Sequence, residues 1–234
     1  VFTRERAQER TRCGVVAEHM VAGFGGGRLV RWGECEPLAR VWNRADVTGS
    51  LRAQMPTSRR HLARGERGES VSIQVSRTRT GLLEHTRGLV PAGVYGRPEG
   101  FSEGVSLAMH PVVTETLQGL VEGFRLNVAM VSYSEVVDLD GSLGQIVSRR
   151  RMDVPLAVVI GAPAVRDLRI DVADLSARHD VTLLGLRRAP SLLVRFSGRD
   201  ELWHQLVAFA HDLDQERLAA ALAVEFDDPP PGKG

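Results

Sequence analysis

The 234-residue chain holds two cysteines, Cys13 and Cys35, and a single lysine, Lys233. Two cysteines are too few for a disulfide framework. Neither stands in a cysteine or histidine cluster, so the ligand spacing of a zinc site is missing as well. No apolar run approaches the roughly 18 residues needed to span a bilayer. The first residues, Val1-Phe2-Thr3-Arg4-Glu5-Arg6, are charged and no apolar core follows them. That is not the pattern of an export signal, and the expected compartment is the reducing cytoplasm. Catalytic signatures are also missing. There is no Gly-x-Ser-x-Gly elbow. Gly23-Phe24-Gly25-Gly26-Gly27 has no Lys-Ser or Lys-Thr after it and no clear strand before it, so it reads as a flexible break and not as a phosphate loop. His179-Asp180 and His211-Asp212 have no second histidine at i+4. His204 and His211, seven apart, read as a surface or interface pair. No catalytic residue, cofactor or metal is expected.

What the chain does have is arginine, and it is unevenly spread. Residues 1–100 hold 17 Arg against 10 Asp+Glu, a net of +7, while residues 101–234 carry a net of −6. A basic front half on an acidic back half suggests a polyanion-binding module joined to a second module.

The chain divides accordingly. Residues 1–37 are weakly patterned and read as an extension. Leu38, Val41, Trp42, Ala45 and Leu51 fit one helical face. Thr57-Ser58 can cap a second, short helix with Leu62 and Ala63 inward and Arg59, Arg60 and Arg64 outward. Ser72 is a good N-cap for a third, running to about His85 and ended by Arg87-Gly88. Leu89-Val90 starts a strand, Tyr95-Gly96-Arg97-Pro98-Glu99-Gly100 is a turn cluster, and Phe101 to Met109 alternates as a strand. Three short helices and a hairpin make a winged helix-turn-helix over 38–109, a shape that suits the DNA major groove. Its expected DNA contacts are Arg59, Arg60, Ser72, Gln74, Ser76, Arg77, Arg79 and Arg97. Glutamine suits an adenine edge, arginine suits guanine or phosphate, and the serines suit phosphate.

Further along, Leu117–Val121, Leu126–Val131 and Glu135–Leu139, ending at Asp140-Gly141, read as a strand meander. Leu156–Ile160, Val181–Leu186 and Ser191–Phe196 read as three more strands. Leu202, Leu206, Phe209, Leu213, Leu218 and Leu222 mark one long amphipathic helix, suited to packing on its own sheet or to dimerisation. Residues 227–234 are expected to be disordered.

The front half resembles the N-terminal part of the ROK-family transcriptional repressors. The residues that carry this are Asn43-Arg44, Ser58-Arg59-Arg60-His61-Leu62-Ala63, Ser72-Ile73-Gln74-Val75-Ser76-Arg77, Gly88-Leu89-Val90 and Gly96-Arg97-Pro98. Met55-Pro56-Thr57-Ser58-Arg59 with Leu62-Ala63 also resembles the GntR type. The ROK resemblance implies a sugar-kinase-like domain after the wing, and residues 117–141 match the outline of its first strands. The matching place for the phosphate loop reads Val121-Glu122-Gly123-Phe124-Arg125, without its aspartate or threonine.

These observations together predict an α+β chain: a winged helix-turn-helix at 38–109 and a small α/β module, partly actin-like, at 112–226. The expected function is a DNA-binding transcriptional regulator, a repressor in type. The expected partners are double-stranded DNA, a sugar-like effector and a second copy of the chain, with no membrane. The competing class is a sugar-kinase-like or other ligand-binding α/β domain without DNA binding.

Overall fold

From Ser70 to Ser76 the chain alternates without a break. Ser70, Ser72, Gln74 and Ser76 are polar, and Val71, Ile73 and Val75 are apolar and β-branched. A helix turns residues two apart by about 200°, so the pattern offers it no apolar stripe. A strand places all three branched residues on one face. The computed structural model, which describes residues 2–5, 12–78, 81–90, 111–133, 154–197 and 202–222, has the strand.

The elements come in two groups. The first holds β1 (Phe2–Glu5), α1 (Val15–Met20) continued by a π-helical turn (Val21–Gly25), β2 (Leu29–Gly33) and β3 (Arg40–Val41). It goes on with α2 (Arg44–Ala53), β4 (His61–Gly65), β5 (Ser70–Thr78) and β6 (Gly81–Leu89). The second holds α3 (Pro111–Gly123), β7 (Leu126–Tyr133), β8 (Val154–Ile160), α4 (Ala162–Asp167) and α5 (Val172–Arg178). It ends with β9 (Asp180–Leu184), β10 (Ser191–Arg195), α6 (Leu202–His211) and α7 (Gln215–Leu222).

The described strands form one sheet in the order β3-β2-β4-β5-β6-β1-β7-β8-β10-β9, with every neighbouring pair antiparallel. β1 joins the two groups. Phe2–Glu5 pair with His85–Leu82 on one side, and Phe2 and Thr3 with Val128 and Leu126 on the other. The stretch expected to be an extension therefore supplies a central strand.

Three apolar clusters hold helices to this sheet. α1 and α2 cover one face of the first group, with Ala17, Val21, Val47 and Leu51 against Trp32, Ala63, Val71, Ile73 and Val75. α1 and α3 continue along that side, where Met20, Leu117 and Leu120 meet Leu126, Val159 and Leu193. The other side of the second group carries α4 to α7, with Ala164, Leu175, Leu202 and Phe209 on Val158, Ile160, Leu192 and Val194.

Local signals explain the boundaries. Asn43 caps α2 by accepting from the backbone N–H of Ala45 at 2.8 Å and of Asp46 at 3.3 Å. Asp171 does the same for α5. The glycine run after α1 is packed tightly. Gly25 and Gly65 lie where a Cβ would come within 2.2 Å of the carboxylate of fully buried Glu69. Arg67 donates to the Gly25 carbonyl at 3.2 Å, tying the π-helical turn to the β4–β5 turn.

Several expectations are corrected here. The second and third helices of the winged unit are β4, β5 and β6: β4 and β5 alternate with period two, and β6 pairs along the whole of β5 from Ser70 to Thr78. The residues carrying the ROK and GntR resemblance at 58–63 and 72–77 thus lie on strands and the loop before them. Leu117–Val121 is part of α3, whose buried Val113, Thr116, Leu117 and Leu120 recur at helical spacing. The actin-like outline over 117–141 loses its first strand, and the second module is antiparallel. The long final helix is two helices, broken at Asp212–Asp214, with Asp214 accepting from Arg217 N–H at 3.0 Å to start α7. The strands at 126–131, 156–160, 181–186 and 191–196 are present as β7, β8, β9 and β10. Leu89, expected to start the wing's first strand, is the last residue of β6. The rest of the wing with Arg97, and Arg79, the Glu135–Leu139 strand and the 227–234 tail lie outside the described residues.

Candidate anion-binding face

The strands of the first group bury one face and turn the other away from α1 and α2. Alternation and register assign the second face. β4 gives it Leu62 and Arg64. β5 gives Ser70, Ser72, Gln74 and Ser76. β6 gives Leu83, His85, Arg87 and Leu89. β2 adds Arg31, opposite Arg64. No carboxylate lies on this face of β4, β5 and β6.

Across the strands the pairing sets out rows. Leu62, Ser72 and Arg87 make one, and Gln74 and His85 make the next, with Arg60 at its edge one residue before β4. Strands about 4.8 Å apart place such donors at near-regular spacing. Glu34, Arg60, Leu62, Ser70, Val71, Ser72, Arg87 and Leu89 line a shallow groove of about 280 Å³ here.

The charges on this face differ in their commitments. Arg64 is paired with Glu36 at 3.1 Å, and Arg31 donates to the Ala39 carbonyl at 3.3 Å. Arg60 is exposed and its side chain makes no hydrogen bond or ion pair among the described residues. His85 reports the local field. Burial lowers its imidazole from 6.5 to about 4, helped by the positive charge of the chain's N-terminus and, less strongly, by Arg60 and Arg87. At neutral pH it is therefore an uncharged donor and acceptor between two arginines.

The sequence-predicted DNA contacts fall into three sets. Arg60, Ser72, Gln74 and Ser76 come together on this face. Arg59 and Arg77 are exposed at the same end of the β4–β5 pair, where the Arg77 N–H donates to the Pro56 carbonyl at 2.7 Å. By alternation Arg77 belongs to the α2 side. Arg79 and Arg97 lie outside the described residues. Ser70, His85 and Arg87 were missed as site residues, and reading period two through 70–89 gathers them.

Two further polar constellations join residues distant in sequence. His61, on β4, is bonded through Nε2 to the Ser50 hydroxyl of α2 at 2.8 Å. Its Nδ1 lies 3.1 Å from the Arg59 carbonyl. At the far end of the molecule, His179 Nε2 donates to Asp212 at 2.6 Å, and Arg178 bonds both Asp212 and Asp174. The His179 hydrogen bond, with Arg178 beside it, holds the Asp212 carboxyl below its usual range. Phe209 packs edge-on against His179, so this network fastens the end of α5 to the end of α6.

Cys13 is buried beneath α2, which pushes its thiol up to about 12 and leaves it a core residue. Among the described residues no group of three or more His, Cys, Asp or Glu is placed to hold a metal ion. No described helix is long and apolar enough to cross a membrane. No curated protein and no solved structure matches the chain. A sequence model of the DUF6177 C-terminal domain, a domain of unknown function, matches residues 1–215, and the chain belongs to that family.

Proposed function

We propose that this protein binds double-stranded nucleic acid through the arginine- and serine-bearing face of β4, β5 and β6. The observation that carries the reading is the composition of that face: Arg60, Arg64, Arg87, His85, Gln74 and three serines on or beside the three strands, which themselves give it no carboxylate. Glu34 at the groove and Glu36 on Arg64 reach it from the β2–β3 loop. Guanidinium and hydroxyl groups are the donors that phosphate oxygens take. The net +7 of residues 1–100 supplies the wider field that draws a polyanion.

Binding of this kind rests on phosphate contacts along a sheet, and not on a recognition helix. Strands do enter DNA grooves in the β-ribbon readers, and Gln74 is the side chain here with the donor–acceptor pair for an adenine edge. Regulation of transcription by occupancy is the role such binding would serve.

The test is a salt titration of binding to duplex DNA, beside an Arg60→Ala/Arg87→Ala variant. The logarithm of affinity should fall linearly with the logarithm of salt concentration. The double variant should bind more weakly, with a slope shallower by about 2. A folded protein without salt-dependent binding, or a double variant with an unchanged slope, overturns the reading.

A further inference from the structure

Beneath α2, on the opposite side of the sheet from the basic face, Ser50 and His61 meet. The Arg59 carbonyl can only accept, so the neutral imidazole carries its proton on Nδ1, which donates at 3.1 Å. Nε2 is then the acceptor, and the Ser50 hydroxyl donates to it at 2.8 Å. This is the tautomer in which a histidine can take a serine proton. The ring is held in place. His61 is 1% exposed. Trp32 stacks on it at 5.5 Å with 12° between the planes. Arg40 lies 4.8 Å over the Trp32 ring from outside. Ser50 itself is half-buried, and beside it on α2 Gly49 is exposed and borders open space.

We propose that Ser50 and His61 form a nucleophile–base pair that hydrolyses activated carboxylic esters. The Ser50 oxygen bonds to the acyl carbon as His61 Nε2 takes the hydroxyl proton. The bond from the acyl carbon to the leaving oxygen breaks, and Nε2 returns the proton to that oxygen. Water then attacks the acyl-serine, losing its proton to Nε2. The carboxylic acid leaves, and Ser50 recovers its hydrogen from Nε2. The third member is a backbone carbonyl and not a carboxylate, so the developing imidazolium gets less support than in a full triad. Esters with a good leaving group, aryl esters above all, are the class this pair suits.

The experiment treats the full chain with an alkyl fluorophosphonate and maps the adduct by peptide mass, alongside p-nitrophenyl acetate hydrolysis. The expected result is a single adduct on Ser50, with its rate of formation lowered about 100-fold in His61→Gln. Ser50→Ala, on the flank of a helix, should melt as a folded protein yet lose the adduct and the ester turnover. A folded wild-type chain without a Ser50 adduct, or with Ser50 no more reactive than other serines, overturns the proposal. So does ester turnover that survives in Ser50→Ala. If His61→Gln fails to fold, wild-type labelling and Ser50→Ala decide the matter.

Discussion

The two ends of the ten-stranded sheet use the same antiparallel pairing and opposite compositions. In the second group, β8 reads Val154-Pro155-Leu156-Ala157-Val158-Val159-Ile160, and from Pro155 on every residue is buried. Helices lie on both of its faces. In the first group, β5 alternates Ser-Val-Ser-Ile-Gln-Val-Ser, and the described helices that cover it sit on one face. A continuous apolar strand marks a face-to-face sandwich, and an alternating one marks a surface left for water or a ligand. The difference separates the part of the molecule that is built for stability from the part that presents chemistry.

The largest effects should follow that division. Leu192, fully buried between β8 and β9, should lose about 2–5 kcal/mol of stability as Leu192→Ala, because the helices on its face cannot close the cavity fully. Ser72→Val, on the polar face, should stay within about 0.5 kcal/mol. Urea unfolding measures both. Comparable losses at the two positions would break the comparison and imply that the polar face is a second core.

The same contrast decides what could be read from the sequence. The apolar runs of β8 and β10 were legible, because two buried faces leave no polar residue to confuse the period. The body of α2 was legible but its start was not: Leu38, Val41 and Trp42 share its face by spacing, whereas Arg40–Val41 form β3 and the helix begins at Arg44 behind the Asn43 cap. The strands β4 to β6 were not legible. Ser58, Ser72, Arg and Gly in sequence imitate helix caps and a recognition helix, and β6 masks its own period with adjacent apolar residues at Leu82 and Leu83 and adjacent polar ones from Glu84 to Arg87. Arg60, Ser72, Gln74 and Ser76 were found as anion-binding candidates through a helical pattern that the chain does not adopt. Ser50–His61 and His179–Asp212, 11 and 33 residues apart, come together only through tertiary packing, which no local spacing announces.

Glycine substitutions sharpen the comparison at a smaller scale. Gly161 ends β8, and a Cβ there would lie 1.7 Å from the Leu126 carbonyl oxygen of the neighbouring strand. That oxygen is backbone and cannot swing aside, so Gly161→Ala should destabilise by about 1–3 kcal/mol or more. Gly49, inside α2, borders open space. Gly49→Ala should stabilise by about 0.5–1 kcal/mol, since alanine loses less entropy in a helix. Thermal melts of the two variants moving in opposite directions would show that the sandwich is filled to backbone contact, while the helix over the first group has room outside.

The smallest effect is electrostatic, and it separates the halves by pH. His85 has a folded-state pKa of about 4 against an ordinary 6.5. Above pH 6.5 it is neutral in both folded and unfolded chains and has no linkage. Between 6.5 and 4 the unfolded chain takes up a proton that the folded chain refuses, so stability falls as pH falls through that window. Below about 4 the penalty is constant. Asp212, at the other end, has a lowered folded pKa, so its contribution is present above 3.8 and disappears only as pH falls further. His85→Gln should therefore flatten the stability profile between pH 6.5 and 4, while Asp212→Asn should leave that window alone and change only the more acidic limb. On the order of 1 kcal/mol is expected for the His85 part after solvent screening. Bound polyanion should raise the His85 pKa by offsetting Arg60 and Arg87, so nucleic acid should bind more tightly as pH drops through the same window, and His85→Gln should remove that dependence. Nucleic-acid binding whose pH dependence is unchanged by His85→Gln would mean that the histidine does not sense the bound polyanion, and would separate it from the basic face.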